Sequence, residues 1–246
     1  MNEEEFIFEY SPAQFRSVME RVENDALTNF LRINVHRFFR WFLKTRNHLR
    51  IYNQEILAQL PNFVLSSNHC SHMDVMCLFS SLPLPKVNSC YAVAAADYFF
   101  SNDVIAYLSR IVANTMPFSR VYGAHAGLKA CGMLMDQGKS LIIYPEGTRS
   151  RTGEIQPFKN GIGILMAERK EPVVPVYING TFYALPKGSF WPNHKPVSMI
   201  VGEPLYFEKY ESNAENWEII AKAVEDKVRE LKVKLTSILE AEKKEP

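Results

Sequence analysis

Apolar residues follow a helical rhythm in the first fifth of this chain and then gather into short runs. Ser11-Pro12 reads as a helix start, with Phe15, Val18, Met19 and Val22 on one face. A second helix is expected from about Asp25 to Asn47. On a wheel of 100° per residue, Leu27, Phe30, Leu31, Val35, Phe38, Trp41 and Phe42 fall within an arc of roughly 140°. Arg32, His36, Arg37, Arg40 and Lys44 occupy the far side. From Asn62 onward, strand-like runs alternate with helical ones. Strands are expected at 62–67, 90–95, 141–144, 173–178 and 197–201. Helices are expected at 73–82, 103–112, 124–137, 158–169 and 217–242.

That alternation predicts an α/β fold with a mixed, largely parallel central sheet flanked by helices. Three regions follow. An N-terminal amphipathic helical pair fills residues 1–55, a sheet-bearing domain 56–212, and a charged C-terminal helix packing on that domain 213–246. A chain of 246 residues, 47% of them hydrophobic, is long enough for a substantial core.

The net charge of +1 gives no reason to expect a nucleic-acid partner, but local charge is uneven. Between Ala26 and Gln54 there is no Asp or Glu, while Arg32, Arg37, Arg40, Lys44, Arg46 and Arg50 all fall there. One reading of the second helix is a surface element packed on its own domain with a solvated basic face. The other is an interfacial helix that sinks its aromatics into a membrane surface and sets its cations against anionic head groups. The aromatic richness and the missing acids favour the second. No apolar stretch reaches the roughly 18 to 20 residues a spanning helix needs. Residues 1–10 lack the pattern of a secretory signal. Cys70, Cys77, Cys90 and Cys131 show no zinc spacing and read as free thiols. The expected location is cytoplasmic, peripheral on the inner face of a membrane, with no metal.

Two motifs carry chemistry. His69-Cys70-Ser71-His72-Met73-Asp74 places a histidine just past the first domain strand and an aspartate in the first turn of the next helix. The carboxylate can hold one imidazole nitrogen and leave the other free as a base. Tyr144-Pro145-Glu146-Gly147-Thr148-Arg149-Ser150 follows a strand, and Gly147 permits a tight turn that presents N–H groups and a guanidinium to one anion. His72 reads as a helix N-terminal residue and Cys70 as a small packing residue, although a thiol beside a histidine is a rival nucleophile. Gly161-Ile162-Gly163 lacks the strand and third glycine of a nucleotide site.

These two blocks, with Met116 to Arg120 between them and Val173 to Val176 after them, resemble the glycerolipid acyltransferase family, best known for its lysophosphatidate acyltransferases. The resemblance runs from about Leu65 to Ile178. It implies His69 and Asp74 as the catalytic pair. It also implies Glu146, Gly147, Thr148 and Arg149 as acceptor-binding residues, joined by Phe118 and Arg120 and, downstream, by Lys159. The second block departs from the family pattern: Pro117 replaces an aliphatic residue and Ser119 stands where Asp or Asn is common.

The expected function is O-acyl transfer from an acyl-CoA or acyl carrier protein thioester to the free hydroxyl of a lysophospholipid, foremost 1-acylglycerol 3-phosphate. No cofactor is expected, since the thioester is already activated. Alternatives are the same chemistry on an amine, a sugar or a specialised lipid, and hydrolysis of the thioester by water.

Overall fold

The computed structural model describes residues 25–95, 103–118, 124–189 and 191–244. The helix expected at Ser11 and the candidate Arg120 lie outside them. The strands are β1 (Arg50–Tyr52), β2 (Val64–Ser67), β3 (Cys90–Ala95), β4 (Thr115–Phe118), β5 (Ser140–Ile143), β6 (Val173–Asn179) and β7 (Ser198–Val201). They form one seven-stranded sheet in the order β1-β7-β6-β2-β5-β3-β4. The strands from β6 to β4 in that order run parallel, while β7 is antiparallel to β6 and β1 is parallel to β7.

Burial on both faces explains why the strands read as nearly continuous apolar runs. Val64 of β2 faces one core and its neighbour Leu65 the other; Leu141 and Ile142 of β5 divide in the same way. The helices that fill these cores are α1 (Ala26–Arg46), α2 (Ile56–Gln59), α3 (Met73–Ser81), α4 (Leu84–Val87), α5 (Asp103–Ala113), α6 (Ala124–Asp136), α7 (Gly161–Met166), α8 (Thr181–Ala184) and α9 (Ala214–Glu242). Residues of α1 and α3 belong to the core on one face, and residues of α6, α7 and α9 to the core on the other.

Chain direction places a crevice between β2 and β5. After β2 the chain crosses to β3 on one side, and after β5 it crosses back to β6 on the other. The loops leaving two adjacent parallel strands therefore part at their carboxyl ends, which is where open α/β sheets bind ligands. At this edge the Asn68 side chain continues the β2–β6 pairing. Its Nδ2 donates to the Ile178 carbonyl at 2.9 Å, and its Oδ1 accepts from the Ile178 N–H at 2.9 Å.

Several sequence expectations need correction. Strands β1 and β4 are not among the expected ones: β1 has three residues, and β4 contains Pro117. Because β1 pairs with β7, the sheet reaches into the region assigned to the N-terminal helices. The helix expected over 158–169 is only Gly161–Met166. At its start, the Phe158 N–H is taken by the Glu225 carboxylate and the Lys159 N–H by the Pro145 carbonyl. At its end, Glu168 turns to φ +63° and donates to the Tyr210 carbonyl. Helix α9 starts at Ala214, before the expected Trp217, because the Asn213 side chain caps it by accepting from the Asn216 N–H at 2.9 Å.

Helix α1 docks by the face opposite to the apolar one. Its buried residues are Thr28, Arg32, His36 and Leu43, whereas Leu27, Phe30, Phe38 and Trp41 are 63%, 64%, 54% and 60% exposed. The cause is carbonyl capping. Arg32 donates twice to the Arg110 carbonyl in the last turn of α5 (2.9 and 2.7 Å), and Arg40 donates to the Leu82 carbonyl at the end of α3 (2.6 Å). Arg40 thus satisfies a carbonyl left open at the end of α3, and Arg32 adds its charge to a carbonyl that also accepts the Asn114 N–H, both at the negative ends of helices. His36 stacks on Phe79 with ring centroids 4.5 Å apart. The solvated basic face is thus excluded for Arg32, and the exposed cations of α1 are Arg37, Lys44 and Arg46.

Candidate active site

His69 follows β2 at the crevice, and Asp74 lies in the first turn of α3. Asp74 is fully buried, and its Oδ2 accepts three hydrogen bonds: from His69 Nδ1 at 2.9 Å, the Cys70 N–H at 2.7 Å and the Ser71 N–H at 2.8 Å. The backbone thus wraps a carboxylate at a helix start, where the helix dipole favours negative charge. With Nδ1 engaged, Nε2 is the imidazole nitrogen left to face a reactant. Those same N–H groups of Cys70 and Ser71 are committed to Asp74 and are not available to an oxyanion.

The second motif closes directly onto the first. Glu146 is 2% exposed, and its Oε1 accepts from the His69 N–H at 2.9 Å. The His69 carbonyl accepts from the Ser150 N–H at 2.7 Å. The Tyr144 ring lies parallel to the imidazole, with centroids 3.9 Å apart and planes at 16°. Burial pushes the Glu146 carboxyl up to about 7, against the lowering effect of the His69 N–H. Glu146 therefore ties the two loops together beneath the surface, a different placement from an open substrate-facing carboxylate.

Around Glu146 the turn opens to solvent. Gly147 adopts φ +72°, and Thr148 is exposed. Among the described residues, the main-chain N–H groups of Thr148 and Arg149 and the Arg149 guanidinium make no hydrogen bond. The Lys159 ammonium lies over Gly147: a Cβ there would meet Nζ at 2.9 Å. Gly147 is thus required by its backbone conformation, and a side chain there would push the flexible end of Lys159 aside. The result is a half-open nest of N–H groups and cations beside the imidazole.

Two neighbours are electrostatically quiet. The Cys70 thiol is pushed up to about 12, chiefly by burial and then by the charges of Asp74 and Glu146. It is a thiol, not the thiolate a nucleophile needs. His72 is pushed down to about 4 by burial, with Arg149 and His69 adding to the effect. Phe118 ends β4, which pairs in parallel with β3 through Ala95 and Phe118.

Sequence reasoning missed three supports. Tyr144 was read only as part of the motif, not as a ring partner of His69. Glu225 and Arg229 of α9 hold the segment after the turn: Glu225 accepts from the Phe158 N–H at 2.9 Å and from Arg229 Nε at 2.8 Å, and Arg229 donates to the Ile155 carbonyl at 3.1 Å. These contacts span 67 and 74 residues, and no local pattern signals them.

A family profile for the acyltransferase domain matches residues 48–179, more than half of the chain. The chain belongs to this acyltransferase family. It is 32% identical over 149 residues to the chloroplast 1-acyl-sn-glycerol-3-phosphate acyltransferase BAT2 of Brassica napus, covering 59% of this chain and 41% of that one. It is 29% identical over 173 residues to the human 1-acyl-sn-glycerol-3-phosphate acyltransferase beta, covering 68% and 59%. These matches span less than two thirds of the relatives' own length. The crystal structure of the 1-acyl-sn-glycerophosphate acyltransferase PlsC from Thermotoga maritima superposes with a TM-score of 0.65 at 22% identity, covering 88% of each chain. That likeness shows the fold.

Proposed function

We propose that this acyltransferase moves a fatty acyl group from an acyl-CoA or acyl carrier protein thioester to the free hydroxyl of a lysophospholipid, 1-acylglycerol 3-phosphate above all. The observation that carries this reading is the direct bond between the loops: His69, held by Asp74, is hydrogen-bonded through its own main chain to the anion-facing turn. A base and a phosphate site in one rigid unit suit a substrate that carries a hydroxyl and a phosphate a few bonds apart. The names of the related 1-acyl-sn-glycerol-3-phosphate acyltransferases agree with it.

In this reaction His69 Nε2 takes the proton of the acceptor hydroxyl as its oxygen attacks the thioester carbonyl. Asp74 holds the Nδ1–H tautomer and stabilises the imidazolium that forms. Collapse of the tetrahedral intermediate breaks the C–S bond, and the proton on Nε2 passes to the departing thiolate. Arg149, Lys159 and the N–H groups of Thr148 and Arg149 bind the phosphate, with Arg120 and Phe118 completing the acceptor site. Base catalysis and positioning then act on an already activated thioester, so the chemistry needs no metal or bound cofactor.

The apolar face of α1 supports attachment to a membrane surface. Among the described residues no helix is long and apolar enough to cross a bilayer. Leu27, Phe30, Phe38 and Trp41 project outward together, which suits insertion into the interfacial layer. A panel of lysolipids given a labelled acyl thioester tests the function. Transfer is expected to favour phosphate head groups, and Arg149→Ala is expected to raise the acceptor KM about tenfold or more. Equal acylation of acceptors without phosphate, or release of free fatty acid alone, contradicts the reading.

A further inference from the structure

Among the described residues no large apolar side chain is more exposed than Trp191, at 84%, and Tyr183 on the same rim is 66% exposed. Both lie between the end of β6 and the start of β7. Because β7 runs antiparallel to β6, with Asn179 opposite Ser198, this stretch sits at the carboxyl edge of the parallel strands, the edge that holds His69. The rim is fixed at several points. Ser71 Oγ donates to the Leu185 carbonyl at 2.7 Å, tying it to the His69 loop. Asn193 donates from its main chain to the Ala184 carbonyl and from its side chain to the Tyr183 carbonyl. The buried Asn47, at the end of α1, donates to the Asn193 and Lys195 carbonyls at 2.8 and 2.9 Å, and its own carbonyl accepts from the Val197 N–H.

A tryptophan held in water on a clamped segment has not been left there by slack chain. Its surroundings are basic as well: Lys187 and Lys195 are exposed, and no Asp or Glu occurs between Glu171 and Glu203. Amphipathic rings beside lysines and without acids suit the head-group layer of an anionic bilayer, where ring and cation are both accommodated. The position agrees, since Trp41 lies six residues before Asn47, roughly 9 Å of helix from the clamp. We propose that residues 181–189 and 191–197 form a second lipid contact, in which Trp191 and Tyr183 enter the interfacial layer and Lys187 and Lys195 meet anionic head groups. With α1 it makes a two-point attachment that fixes the tilt of the molecule and turns the His69 crevice toward the lipid. This inference rests on the membrane attachment proposed above for α1 and adds the surface that orients it.

The test uses the full chain carrying Trp41→Phe and Trp217→Phe, so that Trp191 is the sole tryptophan. Phosphatidylcholine–phosphatidylglycerol vesicles, with and without brominated acyl chains, are added, and flotation reports binding in the same samples. The expected result is a blue-shifted Trp191 emission that brominated lipid quenches. In the otherwise unsubstituted chain, Trp191→Ala and the pair Lys187→Glu with Lys195→Glu are each expected to weaken vesicle binding about tenfold, the lysine pair less at high salt. All variants are expected to keep their rate on a short-chain lysolipid dissolved as monomer. Flotation with an unshifted, unquenched Trp191 overturns the rim contact and leaves both α1 attachment and acyl transfer standing. Failure of the unsubstituted chain to float overturns it together with α1 attachment. A change in sedimentation mass on Trp191→Ala, with vesicle binding unaltered, assigns the rim to a protein contact and overturns it too. Absence of transfer to the monomeric acceptor by the unsubstituted chain contradicts the proposed function alone.

Discussion

The main-chain N–H of His69 donates to Glu146 Oε1 at 2.9 Å, so the loop that carries His69 is held in place by the turn at Gly147. A neutral glutamine can accept the same hydrogen bond through its carbonyl oxygen. Glu146→Gln is therefore expected to keep the turnover number within a few-fold, while Glu146→Ala lets the loop shift and lowers it about 10²-fold, the scale of a 1 Å misplacement. Rate measurements on both variants check this. The carboxyl also links stability to pH. Burial raises it to about 7 from its ordinary 4.5, so the stabilisation it contributes is complete below 4.5 and is lost as pH rises through 7. Glu146→Gln removes that slope from a series of urea unfolding curves.

Asp74 is the partner that sets the imidazole tautomer. Asp74→Asn keeps the volume and removes the charge that stabilises the imidazolium. A fall of about 10² to 10⁴ in turnover number is expected, with little change in acceptor KM. Asp74→Ala also leaves the buried N–H groups of Cys70 and Ser71 without acceptors, at a cost of about 1–3 kcal/mol for each. Chemical denaturation separates the two variants: the alanine protein loses stability as well as rate.

Gly147 combines a left-handed backbone with a lysine overhead. Gly147→Ala is expected to cost about 1 kcal/mol in backbone strain and to displace the Lys159 ammonium from the turn. Acceptor KM rises while the thioester KM is unchanged. Steady-state kinetics with each substrate varied in turn distinguishes this from a general loss of folding.

The fold class and the His69–Asp74 pair were legible because both rest on local order: apolar runs alternating with helical stretches, and two side chains five residues apart across one turn. What escaped the sequence lies at longer range. A helical wheel shows that α1 has two faces without showing which one docks, and here two guanidinium groups capping the carbonyls of Arg110 and Leu82 outweigh an arc of aromatics. The Glu225 and Arg229 support of the turn comes from a helix about seventy residues downstream. Strand β1 has only three residues, and β4 carries Pro117 within it, a residue that argues against a strand when read locally.

His36 makes the docking of α1 sensitive to acid. Its imidazole is buried against Phe79 between Arg32 and Arg40, and burial, followed by those two cations, pushes it down to about 3 from 6.5. The stability of the neutral form is present above 6.5 and is lost as pH falls toward 3, at a limiting slope of roughly 1.4 kcal/mol per pH unit. His36→Phe keeps a ring against Phe79 and is expected to flatten that loss. Thermal melts of both proteins between pH 7 and 4 provide the comparison.

Single-turnover transfer from a labelled acyl thioester to 1-acylglycerol 3-phosphate, by the unsubstituted chain and by His69→Ala, probes the catalytic assignment most directly. Acceptor affinity is measured for both by calorimetry. The imidazole held by Asp74 and seated on the Glu146 turn predicts a loss of about 10³-fold or more in the single-turnover rate with affinity nearly unchanged. Transfer by His69→Ala at the unsubstituted rate contradicts it.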